Sequence, residues 1–316
     1  MSNLLRLVAC LFFLCVSLNS FGASYVKTDG SIVNPIQMDN IIGAGTLNHT
    51  YSGINLGPGA ILATLDINCA FQPILLCFNG PHLDFAVLID ADLTGAFLID
   101  TNLFQADLTN ANLTNSGLLY ANLGFAILID ADLTGANLTN ANLTNANLTN
   151  SNLNNVNLNG ANLTNTDLLG STLTGIFGRL SNASGIILPS GYFITNNYIA
   201  GDGVNLSNAD LTSVDLTSAN LTNANLTNAN LTNSNLNNVN LNGANLTNTD
   251  LLGSTLTGIF GRLSNAAGIT LPPGYIIVNN YILGPGIDDL SGADLIFADL
   301  SGADLSGADL SGADLS

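Results

Sequence analysis

Residues 136–150 read A-N-L-T-N three times in succession. The same five-residue beat runs outward in both directions. It fills residues 86–175 with 18 pentads, 204–258 with 11 and 288–316 with six, the last cut short. The central residue is Leu in all 35 pentads, and the residue two before it is Ala in 22. The other residues at that earlier position are small or β-branched, apart from Asp288. The residue just before Leu is mostly Asn or Asp, and the one after it is often Thr or Ser. The pentad usually ends in Asn, Gly, Asp or Ser.

A period of five decides the geometry. On an α-helix each pentad advances about 500°, so the Leu would drift around every face. On a strand, successive Leu would alternate sides. A chain that turns one corner per pentad keeps every Leu and Ala inside. The residue types at the pentad end are those that tolerate turn conformations with positive φ. The sequence therefore predicts a solenoid, each coil stacking its Leu and Ala on the next.

This A-(D/N)-L-x-x array closely resembles the pentapeptide-repeat family, over more than half of the chain. The resemblance implies an all-β fold: a right-handed quadrilateral β-helix with four pentads per coil. The pentads then make nearly nine coils, a rod on the order of 40 Å long at strand spacing.

The composition fits this fold and excludes other classes. Only 8% of the 316 residues are charged, and the net charge is −18. All the acids are Asp; the bases are Arg6, Lys27, Arg179 and Arg262. A nucleic-acid binder needs a basic stripe, and none is present. The flanking Glu and Lys of a coiled coil are missing as well. The mean hydropathy of +0.39 suggests a membrane protein, but the pentad Leu and Ala account for most of it. The N-terminus accounts for the rest. A short basic start ending at Arg6, an apolar run over 7–18 and small residues Ser20, Gly22 and Ala23 have the layout of a secretory signal peptide, residues 1–23. Its loss would take the charge from −18 to −19 and leave no integral membrane segment. The expected destination is the cell exterior or a bacterial periplasm or envelope.

Residues 136–183 recur almost unchanged at 219–266, an offset of 83. Since 83 is not a multiple of five, the duplicated unit is pentads plus a spacer. The spacers are 176–203 and 259–287. Each reads I-F-G-R-L-S-N-A directly after a pentad-end Gly, then L-P-x-G-Y, then N-N-Y-I. The Asn196-Asn197 and Asn279-Asn280 pairs are hairpin turn signals, so a short β-hairpin is expected in each spacer. Arg179 and Arg262 hold equivalent positions and are expected to bond carbonyls or pair with Asp rather than bind a ligand.

Residues 24–85 read as an N-terminal cap, with a turn signal at Lys27-Thr28-Asp29-Gly30. Cys69 and Cys77 lie there. In an exported chain such a pair reads as a disulfide, with two buried thiols as the alternative. Cys69, Cys77 and His82 match no zinc spacing, and neither metal nor cofactor is expected.

Apolar residues at outward positions cluster early. Phe97, Ile99, Phe104, Leu119, Tyr120 and Phe125 fall on neighbouring faces of adjacent coils, and one contiguous patch is expected. Either residues 24–80 cover it or a protein partner does. The later outward columns are Asn and Thr. The third block ends in mid-pattern, which raises end-to-end homodimerisation through its last coil.

No nucleophile–base pair, metal spacing or phosphate loop is present in the sequence. The expected function is that of an exported, non-enzymatic structural or protein-interaction solenoid. Two alternatives stand beside it. Some pentapeptide-repeat proteins mimic DNA and bind topoisomerase, which the negative charge invites. Asn outnumbers Asp about two to one, however, and a signal peptide removes the chain from the cytoplasm. Flat Thr/Asn ladders raise ice binding, although both residues are simply good turn formers.

Overall fold

A computed structural model describes residues 83–316, apart from 288, 289, 297, 299, 302 and 303, together with segments 25–27, 32–33 and 54–55. The described residues contain no helix. The signal segment, Cys69, Cys77 and most of the expected cap lie outside them. Three short strands precede the repeats: β1 (Tyr25–Lys27), β2 (Ile32–Val33) and β3 (Ile54–Asn55). They form an antiparallel sheet in the order β2-β1-β3.

From Leu83 the chain coils. Parallel bridges join positions four pentads apart, as in Val87–Asp107, Asp92–Asn112, Phe97–Gly117 and Asn102–Asn122. Four pentads therefore complete one coil, and the solenoid has four walls. We number them 1 to 4 after those four bridges. Each wall carries the Asn or Asp column that precedes Leu.

One local unit builds each corner. The carbonyl of Leu88 accepts from the amide of Ala91 at 3.1 Å, closing a tight turn over Ile89 and Asp90. The third residue of such a turn needs positive φ. Every described pentad end in the first two blocks has it, with φ of 54–60° at the non-glycine ones. Between coils, the Leu amide donates to the coil above, as Leu88 does to Asp107 at 2.7 Å. The amide before Leu donates to the coil below, as Asp107 does to Ala86 at 2.9 Å. Inside, the Leu and Ala columns form one continuous buried cluster. Each buried Leu contributes roughly 1.5–3 kcal/mol, so the solenoid needs few ion pairs.

Ser and Thr replace Ala at some inward positions, where most of them bond to carbonyls. The hydroxyls of Ser171, Ser234 and Ser254 donate to Leu148, Leu211 and Leu231, each at 2.6 Å. Thr166 and Thr249 do the same at 2.8 Å to Leu143 and Leu226.

The first spacer begins as solenoid. Phe177 bridges Asn157, Asn182 bridges Asn162 and Ile187 bridges Asp167, so the coil continues to Ile187. Gly178 takes the place of the central Leu here. Its φ is +107°, and a Cβ would collide with the Asn159 amide nitrogen. Leu180 fills the core instead. Then come β4 (Phe193–Thr195) and β5 (Tyr198–Ala200), paired antiparallel. Asn196 and Asn197, both with positive φ, make the turn. Thr195, Ile199 and Ala200 point into the core.

The hairpin tip is tied to the coils on either side. The Asn197 carbonyl accepts from the Leu180 amide at 2.8 Å, and Asn196 Nδ2 donates to the Asp210 carbonyl at 2.8 Å. The solenoid then resumes with Asn205 stacked on Phe177. Among the described residues, wall 3 is the one that stays bridged across this insertion. The second spacer repeats the junction with β6 (Ile276–Val278), β7 (Tyr281–Leu283) and Gly261.

The stacking explains the offset of 83. An uninterrupted coil would bring Asn197 onto Phe177, but Asn205 sits there, an excess of eight. Removing that excess from the offset leaves fifteen whole pentads, or three and three-quarter coils. Equivalent positions therefore sit a quarter turn apart. The coil enters the first hairpin from wall 1 at Ile187 and the second from wall 4 at Thr270.

Candidate functional site

The outward surface starts from the Asn or Asp before each Leu. Its Oδ1 accepts the amide two residues on, as Asn137 accepts from Thr139 at 3.1 Å and Asp132 from Thr134 at 2.9 Å. Where Thr follows, its hydroxyl usually donates to the same oxygen, at 2.6 Å in both cases. Thr hydroxyl protons are thus committed inward along most of the Thr/Asn columns. The same bonds lower the carboxyl pKa of Asp210 and Asp215 below the ordinary value. The main cause is the Thr212 or Thr217 hydroxyl, then the adjoining amide; for Asp210, Arg179 adds a smaller pull.

Asn side chains also ladder between coils. Asn122 donates to Asn102 and Asn142 to Asn122, each at 3.0 Å, along wall 4. The two spacer arginines bond hairpin carbonyls: Arg179 Nε to Asn196 at 3.3 Å and Arg262 Nε to Asn279 at 3.4 Å.

The six outward apolar residues singled out in the sequence fall into two groups on either side of the Asn ladder of wall 4, while Ile127 and Ile89 are exposed on wall 1 and at the corner after it. Phe104 and Phe125 meet edge to face at 5.6 Å on the corner after wall 4. Ile99, Leu119 and Tyr120 share the corner before it, and the Leu119 carbonyl accepts from the Asp100 amide at 2.8 Å. Phe97 stands on wall 3 beside this second group. Phe97, Ile99, Tyr120 and Phe125 are exposed, Phe97 by 59%. Phe104 and Leu119 are half-buried.

Two members of the aromatic corner escape a reading of the pentads alone. Phe85 precedes the first pentad, yet it meets Phe104 edge to face at 6.1 Å and extends the row to three rings. Gly124 replaces the usual Thr. A Cβ there would lie 3.2 Å from the Phe104 ring, so the glycine opens the notch in which Phe104 rests. The signal for both was their alignment one coil from the Phe104 corner. Cys69 and Cys77 lie outside the described residues. Among those residues no group of His, Cys or Asp could hold a metal, and no helix is long and apolar enough to cross a membrane.

The profile of the pentapeptide repeats matches residues 82–118, 118–155, 141–176, 202–228, 224–259 and 289–316. These segments span more than half of the chain. The chain belongs to the pentapeptide-repeat family. The chain is also similar to several solved pentapeptide-repeat proteins. HetL, from the cyanobacterium Nostoc and involved in heterocyst differentiation regulation, is 28% identical over 64% of this chain and 91% of its own, with a TM-score of 0.40. A thylakoid-lumen pentapeptide-repeat protein of Arabidopsis thaliana is 34% identical over 31% of this chain and 62% of its own, with a TM-score of 0.21. QnrB1, a plasmid-mediated fluoroquinolone resistance protein, is 16% identical over 58% of this chain and 90% of its own, with a TM-score of 0.21. A comparison with curated proteins gives no match. The assignment of this pentapeptide-repeat protein rests on the repeat profile and on the regular coil-to-coil bridges.

Proposed function

We propose that this pentapeptide-repeat protein is exported and acts as a non-enzymatic rigid spacer that offers a protein-interaction surface on its first coils. The observation that carries this reading is the exposure of Phe97, Ile99, Tyr120 and Phe125. The corner unit does not require apolar side chains there. One coil after Leu119 and Tyr120 the same positions hold Thr139 and Asn140, with the same backbone bonds. A large apolar surface without a structural duty marks a contact. Export rests on the layout of residues 1–23, and the destination it implies is the periplasm, the envelope or the cell exterior.

The DNA-mimic alternative needs dense rows of acid. Wall 4 instead carries five successive Asn from Asn102 to Asn182, and nothing in the geometry favours that reading. Ice binding through Thr is weakened because the hydroxyl protons are turned to Asn and Asp.

The test is cell fractionation with cross-linking capture, run on the wild type and on a Phe97→Asp/Tyr120→Asp variant. The proposal expects unchanged melting and loss of the cross-linked neighbours. A large fall in melting temperature would instead make the patch a buried face of the protein's own fold, covered by residues 24–80.

A further inference from the structure

We propose that wall 3 is a binding face for a neutral polysaccharide. The starting point is a chemical equivalence. The residue before Leu has one structural duty, to offer Oδ1 to the amide two residues later. Asp92 and Asp107 perform it at 3.1 Å, and so do Asn137 and Asn142. The fold is therefore indifferent between the two. What differs is the outward group, an uncharged Nδ2 donor or an anionic oxygen.

In a chain of net charge −18, walls 1, 2 and 4 all carry Asp in this column, for example Asp107, Asp132 and Asp210. Wall 3 carries none from Phe97 to Asn265. Its nine stacked positions hold six Asn, two Phe and one Gly. Wall 3 is also the wall that stays bridged through the first insertion, by Phe177 and Asn205. Its uncharged column is thus unbroken over about 38 Å at a coil spacing of about 4.8 Å.

Most amides of this wall are available. Asn137, Asn157, Asn245 and Asn265 use Oδ1 for a neighbouring amide, and their Nδ2 groups donate to no atom of the described residues. Asn225 differs in donating along the column, to Asn205 at 3.2 Å. The wall 4 amides of Asn122 and Asn142 are spent in their ladder. Phe97 and Phe177 are exposed at two heights on wall 3. Arg179, at the corner beyond Phe177, is turned to the Asn196 carbonyl.

Free amide donors at regular steps, flat apolar rings and no charge in the column suit one chemistry. It is a polymer that offers hydroxyl and ether oxygens as acceptors and C–H faces for stacking. A phosphate or carboxylate polymer would need cations and would meet the repulsion of an acidic protein. The aromatic corner of Phe85, Phe104 and Phe125 lies beyond wall 4 and takes no part in this surface; Phe97 is the residue shared with the interaction surface proposed above, so the four amides test wall 3 independently.

The experiment is a pull-down of the full chain on insoluble cellulose, chitin and β-1,3-glucan, with alginate gel as the anionic control. Retention is expected on at least one neutral polymer and not on alginate. A variant with Asn137, Asn157, Asn245 and Asn265 changed to Asp should bind at least tenfold more weakly. A matched wall 2 variant, with Asn112, Asn152, Asn220 and Asn240 changed to Asp, should bind as the wild type does. Both should stay folded, since Asp preserves each corner, with a modest fall in melting temperature that added salt reduces, because the new carboxylates stack one coil apart. No retention on any neutral polymer, or equal losses in the two variants, would overturn the proposal.

Discussion

The coils of 136–165 and the junction of 176–203 use the same wall spacing but solve different problems. In a regular coil every pentad is interchangeable: Leu fills the core, Asn or Asp closes the turn, and the next coil lands four pentads later. At the junction the pattern inverts. Gly178 stands where Leu would be, Leu180 supplies the buried side chain, and a hairpin sends Ile199 and Ala200 into the core. Regularity tolerates substitution because each unit has many equivalents. The junction has unique contacts, so single residues there carry more of the structure. Its duplication at Gly261 and Leu263 shows that it is a built element.

The sharpest way to break this contrast is at the glycines. Gly178→Ala places a Cβ against the Asn159 backbone at a φ of +107°. A clash with backbone has no flexible partner to absorb it, so a loss of more than about 4 kcal/mol is expected. Gly95→Ala, in a regular corner, meets no atom within 4 Å at a φ of +65°. It should cost only about 1 kcal/mol, for the left-handed backbone alone. Chemical denaturation of both variants measures the difference. Equal losses would remove the distinction between coil and junction.

A smaller effect is expected inside the regular coils. Ser116 Oγ and Thr101 Oγ1 are buried and find no hydrogen-bond partner among the described residues. Ser234, at the same pentad position in the second block, donates to the Leu211 carbonyl at 2.6 Å. Ser116→Ala should raise stability by up to about 1 kcal/mol, whereas Ser234→Ala should lower it by about 1 kcal/mol. Differential scanning calorimetry should show melting shifts of opposite sign.

The smallest effect is with pH. The Asp210 and Asp215 carboxyls have lowered pKa values because they accept from Thr212 and Thr217. A group whose folded pKa is depressed gives stability that is complete above its unfolded value of 3.8 and is lost as pH falls through the lower folded value. Both carboxyls are fully exposed, so the effect is slight. Melting temperature should hold between neutral pH and roughly pH 4.5 and then slip slightly. Asp210→Asn/Asp215→Asn should reduce that slip without abolishing it, since the amide oxygen takes the same bonds at every pH while Asp304 and Asp314 keep carboxyls lowered by Ser306 and Ser316.

Much of the candidate surface can be read from the pentads, because four pentads per coil fix which outward residues are neighbours. That count puts Phe104 and Phe125 side by side, and their rings meet. The division of the apolar set by the Asn102–Asn122 ladder is not legible in the same way. It depends on how wide a wall is and which amides bond across it. Phe85 escapes the count because it stands before the first full pentad.

The sequence alone determined the solenoid. A five-residue period with Leu at every centre leaves no other way to bury all of them. It also determined the low charge, since the outside needs only Asn, Asp and Thr to close its turns. Only the tertiary structure decided how the two cassettes face. The excess of eight at the hairpin sets a quarter-turn rotation, because a coil can resume only where its backbone amides meet the carbonyls of the coil below. That same rule keeps wall 3 continuous through the first junction, where the walls flanking it are interrupted.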